Sequence, residues 1–182
     1  MSWNLVARRA TATLLLVLLA VACGSSGGRE RTWRDLQLTL PEGWIVFEEE
    51  PTRLSVADDE LGEEGARGPA EAAAFFTHEP RSSPDDWRQL IEDLDGTLER
   101  DERISVGGAP ATKLVFRHES NGVPLREMVV IIPSRDIVIL MQPVVVRGQA
   151  DGPDLFETHL DAFEDLLSSL RFGAPASALR GE

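Results

Sequence analysis

The chain contains very little cysteine and lysine, and its acidic residues outnumber its basic ones. Cys23 is the only cysteine in 182 residues, so no disulfide can form within the chain and stability must come from packing. Lys113 is the only lysine among the 18 basic residues. Against 31 acidic residues, these leave a net charge of −13, which argues against nucleic acid as a partner.

The motifs of common catalytic sites are also missing. There is no Gly-x-Ser-x-Gly elbow, and Lys113 does not follow the glycine pattern of a phosphate loop. His78, His118 and His159 lack zinc-ligand spacing, so each is expected at the surface or at the rim of an element. His118-Glu119 is a poor acid–base pair because adjacent strand residues point to opposite faces. We therefore expect no enzyme, cofactor or metal.

The amino terminus carries the clearest signal in the sequence. Arg8-Arg9 precede an apolar run that ends in small residues before Cys23. The 14 residues from Ala10 to Cys23 would cover roughly 21 Å as a helix, against about 30 Å for a hydrocarbon core. The run is short for a membrane span and typical of a signal peptide.

The segment Leu19-Ala20-Val21-Ala22-Cys23 resembles the processing site of bacterial lipoprotein precursors, with Ala20 where those usually have leucine. The resemblance implies cleavage before Cys23 and a lipid on its sulfur, which would anchor the protein to a membrane. We expect an extracytoplasmic location, at the outer membrane if the host has two membranes. The expected organisation is a signal peptide (1–22), the lipidated cysteine with a flexible tether (23–32), one domain (33–172) and a disordered tail (173–182).

Within the domain, alternation and turn residues predict a series of strands. Leu36, Leu38 and Leu40 alternate with polar residues, as in a strand with one buried face. Asn121-Gly122 marks a tight hairpin. The predicted strands are 36–40, 44–47, 53–57, 72–77, 97–106, 111–118, 125–132 and 136–146.

Two amphipathic helices complete the pattern. Ser83-Pro84-Asp85-Asp86 has the cap, proline and acids of a helix start, and Gly96 is predicted to end that helix. Its predicted buried face consists of Trp87, Leu90, Ile91 and Leu94. A second helix, opening at Pro153, has an apolar stripe formed by Phe156, Leu160, Phe163, Leu167 and Leu170. The fold class is therefore α+β, an antiparallel sheet meander flanked by amphipathic helices.

Several of these segments together resemble the PsbP/Mog-like fold family, which includes DcrB and the LpqN-type lipoproteins. The segments are Leu40-Pro41-Glu42-Gly43-Trp44, the helix after Ser83-Pro84, Val106-Gly107-Gly108-Ala109-Pro110-Ala111, and the ending Leu167-Ser168-Ser169-Leu170-Arg171-Phe172. The resemblance implies an α/β/α sandwich and a role in binding or assembly. It carries over no catalytic residue, and a fold does not fix a function.

Residues 58–71 contain six acids and only one large apolar residue, Leu61, which predicts an exposed loop. The alternating oxygen ligands of a calcium loop are lacking. The candidate partner-contact residues are Asp58, Asp59, Glu60, Glu63 and Glu64. We expect a non-enzymatic binding or assembly module for an envelope protein partner. The alternatives are a carrier of a small apolar ligand or lipid in the sheet–helix seam and, third, a small hydrolase-like enzyme.

Overall fold

The computed structural model describes residues 28–58, 72–120, 122–144 and 155–173. Within these ranges the chain forms two antiparallel sheets and two α-helices. The helices are α1 (Pro84–Asp93) and α2 (Leu155–Ser169). The strands are β1 (Glu30–Trp33), β2 (Leu36–Thr39), β3 (Trp44–Glu50), β4 (Arg53–Asp58), β5 (Ala72–His78), β6 (Thr97–Val106), β7 (Ala109–Ser120), β8 (Val123–Ile132), β9 (Ile137–Pro143) and β10 (Arg171–Phe172).

The large sheet has the strand order β3-β4-β5-β9-β8-β7-β6. The sequence predicts one continuous meander, and this is wrong at a single point. β5 pairs with β9, not with β6, from Ala72 opposite Pro143 to His78 opposite Ile137. The sheet therefore joins two meanders, and α1 carries the chain from the middle of the sheet to its far edge at β6.

β1, β2 and β10 form a separate small sheet. The predicted alternation in β2 is confirmed, since Leu36 and Leu38 are buried and Gln37 is exposed. β10 pairs with β2 through Phe172 opposite Leu36, which brings the two ends of the domain together. β1 begins at Glu30, so residues 30–32, assigned from sequence to the tether, lie in this sheet.

The larger core lies between one face of the large sheet, the small sheet and α2. Phe156, Phe163 and Leu167 of α2 are buried there, as the apolar stripe predicts. The Trp44 ring meets Phe163 edge to face, with 5.9 Å between ring centroids. Burying a side chain of this kind contributes about 1.5–3 kcal/mol, so α2 supplies much of what holds the domain together.

α1 packs on the opposite face of the large sheet. Ile91 is buried there with Leu114 and Phe116 of β7. The prediction of one fully buried apolar face on α1 is wrong, however, because Leu90 and Leu94 remain 42% and 43% exposed. Helices lie on both faces of the large sheet, so the expected three-layer sandwich is present in part. It differs in two ways: the small sheet adds to the α2 side, and α1 covers only part of its own side.

The ends of α1 follow the sequence signals closely. Ser83 Oγ accepts a hydrogen bond from the Asp86 backbone N–H at 3.2 Å, and the Asp86 carboxylate accepts one from the Ser83 backbone N–H at 3.0 Å. This is a complete capping box. Asp95, not Gly96, takes the left-handed conformation after the helix, at φ 54°. Gly96 is required for space, because a Cβ there would lie 2.8 Å from the Ile91 carbonyl oxygen.

Candidate functional site

A groove of about 220 Å³ lies where α1 leaves the sheet uncovered. Its apolar lining is contributed by Phe75 of β5, Val138 and Leu140 of β9, and Trp87 of α1; its polar lining is contributed by Arg53, Thr77, Glu79 and Gln142. The Trp87 indole is fixed at the helix start, since its Nε1 donates a hydrogen bond to Ser82 Oγ at 3.2 Å. The groove is therefore a half-open cleft between a helix flank and a sheet.

The groove continues into a wider apolar surface. The Phe47 side chain is 44% exposed and meets the Phe75 ring edge to face, with 6.1 Å between centroids. On α1, Leu90 is the neighbour of Trp87 and of Leu94, because residues three and four apart share a helix flank. We call this surface the open face. It consists of Phe47, Phe75, Leu140, Trp87, Leu90 and Leu94.

The opposite flank of α1 explains why the open face stays uncovered. Arg88 on that flank donates from Nε to Asp101 of β6 at 2.8 Å and also pairs with Asp85. These bonds hold α1 toward the β6 side of the sheet, above β7. The flank that carries Trp87 and Leu90 is left facing β5 and β9, so the exposed leucines are a consequence of where the helix is held.

Arg53 is the basic residue that lines the groove. Its guanidinium lies 5.5 Å from the centroid of the Phe75 ring, and its Nε lies 3.3 Å from Glu48 Oε2. The buried Ser55 hydroxyl donates to the same carboxylate oxygen at 2.8 Å. Among the described residues, the positive charge of Arg53 is therefore already paired with the Glu48 carboxylate and with the face of the Phe75 ring.

A second polar feature is buried on the same sheet face. His118 of β7 and Glu127 of β8 each keep only 9% of their side-chain surface exposed, and His118 Nε2 lies 3.2 Å from Glu127 Oε2. The two atoms are not aligned as a hydrogen bond, and neither ring nitrogen has another partner among the described residues. The His118 ring also lies against Phe116, at 5.7 Å between centroids.

Burial raises the pKa of the Glu127 carboxyl above its usual value, although the nearby His118 opposes the shift. The cause is desolvation, which penalises the charged form of a carboxylate. Neither residue of this pair lines the groove. The lining described for the groove contains one carboxylate, Glu79, and no histidine, so the arrangement does not assemble an acid–base pair in a cleft.

The sequence predicts a surface or rim position for His118, and this is wrong because the side chain is buried. Its neighbour Glu127 is also not predicted from the sequence. The signal was available, since Leu114, Phe116 and His118 alternate on one face of a strand, as do Glu127, Val129 and Ile131 on the next. The pairing of β7 with β8 sets Ser120 opposite Val123 and His118 opposite Leu125. That register places Glu127 diagonally across from His118. Adjacency in sequence points only to Glu119.

The other two histidines do not join His118. His78 stands at the end of β5 in the register whose neighbours face α2, and His159 is on α2 itself. His118 faces α1. Among the described residues no group of three or more histidine, cysteine or acidic residues could hold a metal ion.

The site residues selected from sequence fall mostly outside the described ranges. Asp58 ends β4 opposite Trp44. The remaining candidates for partner contact, Asp59, Glu60, Glu63 and Glu64, lie in the part of the chain that is not described, as do Cys23 and Pro153. Neither of the described helices is long and apolar enough to cross a membrane.

The large apolar side chains that could line a sheet–helix seam divide between core and surface. Trp44, Phe76, Met128 and Met141 are buried in the core on the α2 side. Phe116 is buried under α1. Phe47, Phe75 and Trp87 contribute to the open face. Among the described residues, the sheet–helix seam is open along the flank of α1.

The chain is similar to several solved structures but matches no sequence family. No protein-family model and no curated protein matches the chain. Three of the similar solved structures are informative. A Pseudomonas aeruginosa protein of unknown function, PA94, is 14% identical with a TM-score of 0.49; the match covers 82% of this chain and 99% of that one.

The other two belong to the groups that the sequence resembles. Cyanobacterial PsbP (CyanoP) from Synechocystis is 14% identical with a TM-score of 0.47, and the match covers 83% of this chain and 95% of that one. LpqN of Mycobacterium tuberculosis, described as involved in cell envelope biogenesis, is 16% identical with a TM-score of 0.45, covering 82% and 87%. A PsbP protein and LpqN are thus both among the similar structures, as the resemblance predicts, and the likeness concerns the fold alone.

Proposed function

We propose that this chain is a membrane-anchored, extracytoplasmic binding module whose contact surface is the open face. The observation that carries the proposal is the groove between α1 and the large sheet, together with two exposed apolar side chains beside its lining: Phe47, which contacts Phe75, and Leu90, one helical turn from Trp87. Patches of this kind on a folded domain mark interaction sites. The leader sequence and Cys23 support the location, because a lipid on that sulfur would hold the domain at a membrane.

The anchor has a functional consequence in this proposal. A tethered domain meets other envelope proteins at a raised effective concentration, so a modest contact surface is sufficient. The acidic segment with Asp59, Glu60, Glu63 and Glu64 leads from β4 to β5, the strands that carry Arg53 and Phe75. We include it in the proposal as a second contact, to be tested separately by replacing its acids with glutamine and asparagine.

The small-ligand alternative is favoured by the groove itself. An apolar floor formed by Phe75, Val138 and Leu140 suits one aliphatic chain. The groove is half-open and lies beside exposed apolar side chains, which suits a polypeptide partner better. A bound lipid would be recovered from protein purified in the cold and detected by native mass spectrometry, so the two readings are separable.

The contact surface is tested by co-purification after crosslinking in intact cells. The variant Phe47→Ser/Leu90→Ser removes two exposed apolar groups of the open face and should lose its partner. Leu98→Ser is the control, because Leu98 is comparably exposed but lies on β6, away from the groove. Equal recovery of the same crosslinked partner from all three proteins would refute the proposed surface.

A further inference from the structure

Three carboxylates lie at the border of the open face. On α1, Asp86 and Asp93 lie on either side of Leu90, four and three residues away, and both are exposed. Glu79 lines the end of the groove beside Trp87. The three carboxylates therefore border the apolar surface along α1 and at its end.

Each of these three acids is held by neutral donors. Asp86 accepts from the Ser83 hydroxyl at 2.7 Å, Asp93 accepts from Gln89 Nε2 at 2.9 Å, and Glu79 accepts from the Thr77 hydroxyl at 2.7 Å. The hydrogen bonds from Ser83 lower the pKa of the Asp86 carboxyl. These bonds orient the carboxylates and leave their negative charges uncompensated within the described residues.

Elsewhere in the described domain some carboxylates are paired with a cation, and others, such as Glu92 and Asp161, are exposed without an ion pair among the described residues but do not border the open face. Arg88 pairs with Asp101 at 2.8 Å, and Lys113 pairs with Glu102 and Glu164 at 3.2 and 3.0 Å. Arg126 pairs with both Glu99 and Glu157. At the open face, three carboxylates without a cation partner among the described residues border an apolar strip.

From this juxtaposition of an apolar strip with bordering carboxylates we infer that the open face binds a cationic amphipathic helix of a partner protein. The inference rests on the proposed function and adds the chemistry of the partner. Apolar side chains of that helix would cover Phe75, Leu140 and Leu90, and its basic side chains would pair with Glu79, Asp86 and Asp93. Asp86 and Asp93 are about 10 Å apart along the axis of α1, which matches basic residues two turns apart on a partner helix.

The test uses the chain from residue 23 to 182 with Cys23→Ser, which keeps every described residue. The probe is a fluorescein-labelled 18-residue helix of leucine and lysine, with a leucine–glutamate helix of equal length as the reference. Fluorescence anisotropy should detect binding of the lysine helix alone, with affinity that falls as salt rises. Glu79→Gln/Asp93→Asn should weaken binding about five- to tenfold.

The charge-matched control is Glu92→Gln/Asp161→Asn, which removes two exposed carboxylates away from the open face and should leave affinity within about twofold. Equal weakening by both double variants would overturn the inference, because general charge would then explain binding. Equal binding of both helices, or tight binding of neutral phosphatidylcholine vesicles unaffected by Glu79→Gln/Asp93→Asn, would also overturn it. In those cases loss of the cellular partner in Phe47→Ser/Leu90→Ser would still support the proposed function.

Discussion

At the scale of single residues, the buried His118–Glu127 pair is the most unusual feature of the domain. A carboxylate that is largely removed from water is stable only as the neutral acid or beside a compensating charge. Glu127 lies 3.2 Å from the His118 ring without an aligned hydrogen bond. The pair is therefore expected to lower the free energy of unfolding near neutral pH. Glu127 lies on β8, the strand next to β9 of the groove floor.

The stability of the protein should reflect the raised pKa of Glu127. A group whose pKa is raised by folding contributes stability below its unfolded value, 4.5 for this carboxyl, and that contribution is lost as the pH rises through the folded value. Glu127→Gln removes the titration. In urea unfolding across pH 4 to 8, its free energy of unfolding should exceed that of the wild type at neutral pH, and the difference should vanish toward pH 4.

Glu119→Gln is the matched control, because Glu119 lies next to His118 in sequence but is exposed. Its unfolding curve should track the wild type over the same pH range. If the difference between Glu127→Gln and the wild type is independent of pH, the burial of an ionisable carboxylate is not what governs this site.

At the scale of elements, local signals in the sequence were sufficient for most strands and for the start of α1. Ser83-Pro84 and the following acids fix that start through side chains within one helical turn. The pairing of β5 with β9 could not be predicted in the same way, because it joins residues some 65 positions apart and depends on where α1 carries the chain. The exposure of Leu90 has the same origin, since periodicity gives a helix face but not the share of it that a sheet will cover.

The capping box predicts a measurable effect on α1. Ser83→Ala removes the hydroxyl that accepts from the Asp86 backbone N–H and should lower the free energy of unfolding by about 1 kcal/mol. Thermal unfolding should show a midpoint lower by several degrees. Ser134→Ala, at an exposed position in the turn before β9, is the control and should leave the midpoint nearly unchanged. A midpoint for Ser83→Ala equal to that of the control would mean that the cap does not stabilise the domain.

At the scale of the whole molecule, a proposed lipid anchor at Cys23 would hold the open face of the domain near a membrane. The leader stays a prediction from the sequence, which rests on a basic start, a short apolar run and Cys23 in succession. The open face could not be predicted, since Phe47, Phe75 and Leu90 come from three separate elements. The carboxylates that border the open face could not be predicted either, because acidic residues occur throughout the sequence.

The anchor predicts a change in location. Cys23→Ala should abolish metabolic labelling with palmitate and release the protein from the membrane fraction, because the sulfur that accepts the lipid is gone. Gly24→Ser, a substitution at the residue after Cys23, should preserve both labelling and membrane association. Undiminished labelling of Cys23→Ala would exclude that sulfur as the lipid site.

The most direct test of the contact surface is photo-crosslinking at single positions in living cells. A photoreactive residue in place of Leu90, which is exposed on the open face, should give one discrete adduct with an envelope protein. The same residue in place of Arg103, which is exposed on β6, should give none. An adduct at Arg103 and not at Leu90 would place the contact on another surface and contradict the account.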